Sequence, residues 1–444
     1  MQYTGGDINR LGERLRNIKG KHISDEDLDL LQAHRLSFTE PLFKIFKELT
    51  QYKSTVQRSA IIAFRLKRIS TIINKVIRKP KMQLNRMWDV AGIRIIFDDE
   101  VSARRMVNLI LEKYEVRGQV RNYFENPKKI GYQAFHIYIT EPESGKVVEV
   151  QIRTRNTHNW AILVEITDVL YSTRLKEEGY ESNLEWGRFH QIVSSREELA
   201  QDEANFLYKT LDKHDFISKL ADTFRTNSSV VKKQWQNVGH RDKYFLIELS
   251  SDSVPKLSSY NDYEKAEADY FEAYKKDEGA LIVLTSIHKP SFEQISIAYA
   301  NYILSYHEFI KDVQEILKVL AVEKLEDKEF SEFRKIFRLY EDIQANNLVN
   351  ILVERDDVIV SFEDESLRLE SKSKISTKKR KEIRKQINFG IRDLVNKHRL
   401  FMIEIKGVTE NLPLWAWRTK SFLNKHEKRV SKRLKSIELK FDKN

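Results

Sequence analysis

From Val147 to Thr154 the chain reads Val-Val-Glu-Val-Gln-Ile-Arg-Thr, and this strict alternation constrains the fold more than any other stretch. Successive side chains of an extended segment point to opposite faces. Val148, Val150 and Ile152 therefore share one face, and Glu149, Gln151 and Arg153 share the other. Three neighbouring polar groups on a strand with so apolar a back predict a wet cleft or an outer, solvated sheet face. Val90–Phe97 is apolar and β-branched, and Gln133–Ile139 alternates as well. Helical periodicity at 101–114 and 156–171 separates or follows these strands. Such interleaving predicts an α+β fold, a mixed β-sheet flanked by helices.

Only seven prolines and fourteen glycines occur in 444 residues, which predicts helices with short connections. Residues 1–55 read as N-terminal helices, with Leu28, Leu31, Leu36, Leu42 and Ile45 at roughly helical spacing. The strand-bearing domain is expected over 56–180, opening with an amphipathic helix over 56–80 that Pro80 ends. A helical connection over 181–235 leads to a small α/β domain over 236–325. Its strands are Tyr244–Leu249 and Leu281–Ser286, and its helices 262–277 and 291–320. Residues 326–444 form a basic, mainly helical module, with a charged helix at 324–345 and a hairpin at Asn350–Phe362 turning on Asp356-Asp357. The region 236–320 reads equally as a regulatory domain that restrains its neighbour or as a structural extension.

The net charge of +11 is unevenly spread: residues 371–444 hold 22 Lys/Arg against 7 Asp/Glu, and the remaining chain sums to −4. A local polyanion contact, RNA in particular, and a solvated helical tail are both open readings of that module. The chain has no cysteine, which excludes disulfides, thiolate zinc sites and cysteine nucleophiles. No apolar run reaches the ~18 residues of a membrane span. Met1–Arg10 lacks an apolar signal core, so the expectation is a cytoplasmic protein without membrane contact. The sequence names no oligomeric state.

Four constellations carry candidate chemistry. Lys67, Thr71 and Lys75, four apart, form a polar strip suited to a polyphosphate or simply to solvent, with Arg65 just before it. Asp89 stands at the mouth of the 90–97 strand, able to hold a metal or cap a turn, and Arg94 interrupts the strand's apolar run. In Lys128-Lys129-Ile130-Gly131-Tyr132-Gln133-Ala134-Phe135-His136, Tyr132 and His136 share a face that suits base stacking and phosphate contact, or plain exposure. Glu149 and Asp89, arriving from different strands, suit a hard cation such as magnesium, which usually takes one or two carboxylates.

Taken in order, these segments resemble the RelA/SpoT synthetase domain. The residues that carry the resemblance are Arg65-x-Lys67 with Lys75, Asp89-Val-Ala-Gly-Ile-Arg94, Lys128-x-x-Gly131-Tyr132-Gln133-x-x-His136 and Val148-Glu149-Val-Gln151-Ile-Arg153-Thr154. His158-Asn-Trp160-Ala161 with Glu165 looks like the helix after the last strand in one branch of that family. The resemblance implies a nucleotidyltransferase-like sheet and transfer of the β,γ-pyrophosphate of ATP to a ribose 3′-hydroxyl. GDP or GTP is the usual acceptor, giving alarmones of the (p)ppGpp type. A toxin branch modifies the 3′ end of tRNA instead. By the same resemblance Arg65 and Arg94 would sandwich adenine, and Lys67 and Lys75 would meet the ATP phosphates, with Thr71 beside them. Asp89 and Glu149 would hold Mg2+, and Glu149 would also assist deprotonation of the acceptor. Tyr132 would stack on the acceptor base, Lys128 and His136 would contact its phosphates, and Gln151 and Arg153 would brace the site.

There are departures from the family pattern. Thr71 replaces a commoner serine, Ala134-Phe135 replaces Ser-Leu, and the helix after the last strand lacks the long pattern ending in His-Trp. The commoner activity favours GDP or GTP as acceptor, whereas the basic module favours tRNA. A silent binding protein of this fold would have lost a metal carboxylate or a phosphate cation, and none is lost.

Overall fold

The computed structural model describes residues 3–17, 23–195, 199–220, 241–249, 255–276, 281–287, 307–353, 358–363, 366–371, 377–410 and 416–441, with isolated positions between them. Three helices open the chain: α1 (Gly5–Arg16), α2 (Asp25–Leu36) and α3 (Thr39–Val56). Thr4 and Ser24 start the first two by accepting from the backbone N–H of Asp7 and Asp27. Then follow β1 (Ile61–Leu66), α4 (Ile69–Arg78), β2 (Ala91–Phe97), α5 (Glu100–Lys113), β3 (Arg121–Asn122), β4 (Phe135–Thr140), β5 (Val147–Thr154) and α6 (Arg155–Tyr171). Thr154 closes β5 and caps α6 reciprocally with Thr157. Further on lie α7 (Leu175–Glu178), α8 (Leu184–Ser194), α9 (Gln201–Lys213), β6 (Tyr244–Leu249), β7 (Lys256–Tyr260), α10 (Tyr263–Lys276) and β8 (Leu281–Ser286). The chain continues through α11 (His307–Glu326), α12 (Phe330–Val353), β9 (Val358–Glu363), β10 (Ser366–Ser371), α13 (Thr377–Glu410) and α14 (Trp417–Phe441).

The main sheet is eight-stranded in the order β3-β4-β5-β2-β1-β8-β6-β7. β2 and β5 run parallel, with Gly92 opposite Glu149 and Arg94 opposite Gln151, and the other pairings are antiparallel. One face is mainly apolar: Phe64, Ile93, Ile137, Val150, Leu246 and Leu284 join the core beneath α1, α3, α5 and α10. The opposite face divides. Ile61, Ala63, Ile96, Phe245 and Val283 form a small apolar cluster. Arg65, Arg94, His136, Glu149 and Gln151 make the neighbouring part of the same face polar. Burial along β5 alternates from Val147 to Ile152 as the sequence pattern requires.

Three expectations are corrected. The segment 56–80 is not one helix, since Ile61–Leu66 is a central strand and only Ile69–Arg78 is helical. A strand covered on both faces reads as a continuous apolar run, which periodicity cannot separate from a buried helix. Among the described residues of 236–325, the strands build no separate sheet, because β8 pairs with β1 and extends the main sheet. The Tyr270 hydroxyl accepts from Leu66 N (3.1 Å), and Thr285 Oγ1 donates to Ile62 O (2.6 Å) across that seam. Finally, the hairpin pairs Val358–Glu363 with Ser366–Ser371, and its turn is not at Asp356-Asp357, which lie outside the described residues. Of the helix expected at 291–320, residues 291–306 lie outside them except Ile295, and the remainder falls in α11.

A second apolar core joins Trp160 and Leu163 of α6 to Trp186, Phe189, Leu207, Leu317, Phe337, Phe401 and Leu423. The C-terminal helices thus pack into the same helical layer as α6. Phe401 stacks on Phe337 (6.1 Å between centroids), and Phe422 meets Phe333 and Phe337 edge-on. Of the aromatics in the basic module, Trp417 faces solvent and Trp415 lies outside the described residues. Among the described residues no helix is long and apolar enough to cross a membrane.

Candidate active site

The polar patch follows from the register. A strand pair holds opposite residues on one face, so Arg65, Gly92, Glu149 and Tyr138 lie in one row across β1, β2, β5 and β4. Arg94, Gln151 and His136 form the next row. Arg65 sits diagonally from Arg94, which faces Ala63 across the β1–β2 ladder.

Asp89 stands just before β2. Lys67 leaves β1 with its N–H bonded to Val90 O (2.8 Å), which brings the side chain over the Asp89 carboxylate. Lys67 Nζ lies 3.0 Å and Lys75 Nζ 2.5 Å from Asp89 Oδ2. The strip expected on one helix is therefore split: Lys67 precedes α4, and Lys75 reaches back from it. Thr71 lies one turn before Lys75 and forms no side-chain hydrogen bond among the described residues. Burial drives the Asp89 pKa up, but Lys67 and Lys75 outweigh it and hold the carboxyl below its ordinary range. Burial lowers the Lys67 ammonium, against the pull of Asp89.

Glu149 is gripped from three sides. His136 Nδ1 is 3.0 Å from its Oε1, the Tyr138 hydroxyl donates to the same oxygen at 3.2 Å, and Gln151 Nε2 donates to Oε2 at 3.1 Å. Burial raises its pKa, yet the hydrogen bond and charge from His136, with Gln151 and Lys67, bring it down to about 2. Burial lowers the His136 pKa from its ordinary value, with Glu149 opposing. A neutral ring with its proton on Nδ1 donates to Glu149 and accepts from the Tyr132 hydroxyl at Nε2 (2.6 Å). Arg153 Nη2 donates to that hydroxyl (3.0 Å) and to Gln151 Oε1 (3.1 Å). A continuous polar chain thus runs from Arg153 to Glu149.

The Tyr132 ring has Lys128 Nζ 5.0 Å and the Arg153 guanidinium 5.2 Å from its centroid. Lys128 also lies over Tyr123 at 5.2 Å, and burial lowers its pKa. The loop that carries these groups turns at Gly131, where φ is +97° and an added Cβ would run into Ser194 of α8. Glycine there lets the loop dock on α8.

Arg94 is half-buried, and burial with the nearby Arg153 and Arg65 lowers its guanidinium to about 9. Glu165 of α6 opposes them. Burial raises its carboxyl, but Lys176, Arg94 and Arg65 take it to about 2, and Lys176 Nζ lies 2.6 Å from Oε1. Lys176 and Tyr138 escaped the sequence reading. Tyr138 had a signal, since it shares a strand face with His136, whereas Lys176 carried none.

The donor set fits magnesium. Asp89 Oδ1 is buried without a hydrogen-bond partner, and Asp89 and Glu149 lie within each other's field. Among the described residues no three acidic, His or Cys side chains cluster, so such an ion would complete its shell from phosphate oxygens and water.

Residues 64–176 match the family model described as a region found in RelA/SpoT proteins. The chain is 27% identical over 144 residues to GTP pyrophosphokinase YjbM of Bacillus subtilis, covering 30% of this chain and 68% of that one. It is 28% identical over 161 residues to the probable chloroplastic GTP diphosphokinase RSH3 of Oryza sativa subsp. japonica, covering 34% of this chain and 22% of that one. The chain therefore spans less than a quarter of the rice relative. The crystal structure of small alarmone synthetase 1 from Bacillus subtilis bound to its product pppGpp aligns with a TM-score of 0.31 at 19% identity, covering 41% of this chain and 97% of that one. Residues 64–176 of this chain are thus similar to the region found in RelA/SpoT proteins.

Proposed function

We propose that this chain moves the β,γ-pyrophosphate of ATP onto the 3′-hydroxyl of GDP or GTP. The observation that carries this reading is the Asp89 carboxylate paired with both Lys67 and Lys75, beside a Glu149 carboxylate held by His136, Tyr138 and Gln151. Phosphoryl-type transfer asks a protein mainly for positioning and for neutralisation of charge. Arg65 and Arg94 hold adenine between guanidinium planes, and Glu165 offsets the charge of both arginines. Lys67 and Lys75 turn from Asp89 to the ATP phosphates when nucleotide enters. Magnesium held by Asp89 and Glu149 would neutralise charge on the transferred group.

Tyr132 stacks on the acceptor base, and Lys128 moves off the ring to meet the acceptor's phosphates. The 3′ oxygen bonds to the β-phosphorus as its proton passes to Glu149, already anionic and aimed by His136. The bond between the β-phosphorus and the bridging oxygen to the α-phosphate breaks, and AMP leaves. A cytoplasmic setting suits these substrates.

A second reading has tRNA as acceptor. The +15 carried by residues 371–444 favours it, because a mononucleotide needs no such surface. Incubation with ATP labelled in its terminal phosphates, offered GDP, GTP and tRNA in parallel, tests both. Label in GDP or GTP is the expected result, and label in tRNA alone selects the second reading. Label in none of them overturns the proposal.

A further inference from the structure

Helices α12 and α14 enclose a groove of about 670 Å³, built from residues that follow the synthetase domain by more than 150 positions. Arg334 and Arg338 line it from α12, one turn apart, and Arg418, Lys425 and Arg429 line it from α14. Among the described residues none of these five forms an ion pair with a carboxylate. The acid in the lining, Glu341, is already engaged by His426 Nδ1. Five cations facing one space repel each other, and an anion between them relieves that repulsion.

The spacing says what kind of anion. Positions 418, 425 and 429 recur on one side of α14 and span about 16 Å at ~1.5 Å per residue. A nucleic-acid strand carries a charge about every 3.4 Å along its axis, so the row matches several successive phosphates. That exceeds what the phosphates of one nucleotide can reach. At the end of the row Trp417 is 62% exposed, with the Arg418 guanidinium 5.5 Å from its ring centroid. Phe401 nearby is buried in the core and the partly buried Phe422 carries the Arg338 guanidinium over its ring, whereas the Trp417 ring is open to a base. We infer that this groove binds a single-stranded segment of RNA, its phosphates along the two helices and one base stacked on Trp417. The site stands whichever acceptor the synthetase domain uses.

Fluorescence anisotropy of the full-length protein with a labelled single-stranded RNA oligomer, titrated across salt, tests this. The wild type binds with a steep salt dependence. Replacing Arg418, Lys425 and Arg429 together by Gln weakens binding at least about tenfold and shallows the log–log salt slope by about 2, at ~0.7 for each phosphate no longer neutralised. Trp417→Ala weakens binding several-fold and leaves the slope unchanged. That variant alters an exposed side chain and decides alone if the triple variant fails to fold. ATP or GTP leaves the oligomer bound. Absence of wild-type binding, unchanged affinity in Trp417→Ala, or displacement of the oligomer by ATP, duplex RNA or a polyglutamate peptide as readily as by single strand overturns the proposal.

Discussion

His136 Nδ1 stands 3.0 Å from Glu149 Oε1, tying β4 to the polar face of β5. The pair fixes the protonation pattern of the site. Burial lowers His136 from its ordinary 6.5, and Glu149 is held at about 2. Both shifts run downward, so proton uptake by the pair lies on the acid side of 6.5, below the range from about pH 7 to 8. The transfer rate should be flat across that range at saturating substrates and fall only on the acid side, as His136 gains a proton. A rate that halves near pH 7 and tracks one proton contradicts the neutral His136.

Tyr132 has two separable parts, the ring between Lys128 and Arg153 and the hydroxyl bonded to His136. Tyr132→Ala should raise the KM for the acceptor by about tenfold or more and leave the KM for ATP nearly unchanged, since a stacked base is worth about 1–3 kcal/mol. Tyr132→Phe should keep the acceptor KM and lower kcat, because His136 loses the partner that orients it. Steady-state kinetics in both substrates separates the two. A loss confined to ATP affinity counts against the assignment.

Glu165 is the anion shared by Arg65, Arg94 and Lys176. Glu165→Gln keeps volume and leaves three cations without it. The ATP KM should rise about tenfold while acceptor KM stays put, and high salt should soften the defect by screening the arginines. Equal losses toward both substrates would mean a general structural role.

His190 is fully buried, bonded to Thr167 Oγ1 at 2.9 Å, and burial lowers its pKa to about 3. The unfolded chain binds a proton there near pH 6.5 and the folded chain does not. Stability therefore falls as pH drops below about 6.5, by up to ~1.4 kcal/mol per unit from this group. Denaturant unfolding of wild type and His190→Gln between pH 7 and 5 checks it. The variant should show the shallower pH dependence, and parallel curves contradict the claim.

The apolar and polar faces of β5 were readable because a period of two has a single structural meaning over eight residues. The same holds for Phe135, His136 and Ile137 on β4. β1 was not readable: Ile61-Ile62-Ala63-Phe64 is apolar at every position because core lies on both sides of it. The β1–β8 seam was also hidden, since Ala63 and Thr285 are paired across 222 residues and edge pairing leaves no local pattern. Within the site, residues spaced along one strand were legible. Lys75 and Lys67 converging on Asp89, and Lys176 reaching Glu165, depend on how turns aim side chains, which no periodicity encodes.

The central claim is that Asp89 and Glu149 are both needed as charges for pyrophosphate transfer. Transfer of label from the terminal phosphates of ATP to GDP or GTP should be measured for wild type, Asp89→Asn and Glu149→Gln at saturating magnesium. Each variant keeps its shape and should fold, as unchanged circular dichroism would record. Each should lose at least about a hundredfold in turnover, the usual scale for a positioned base. Near wild-type turnover in either folded variant would contradict the account.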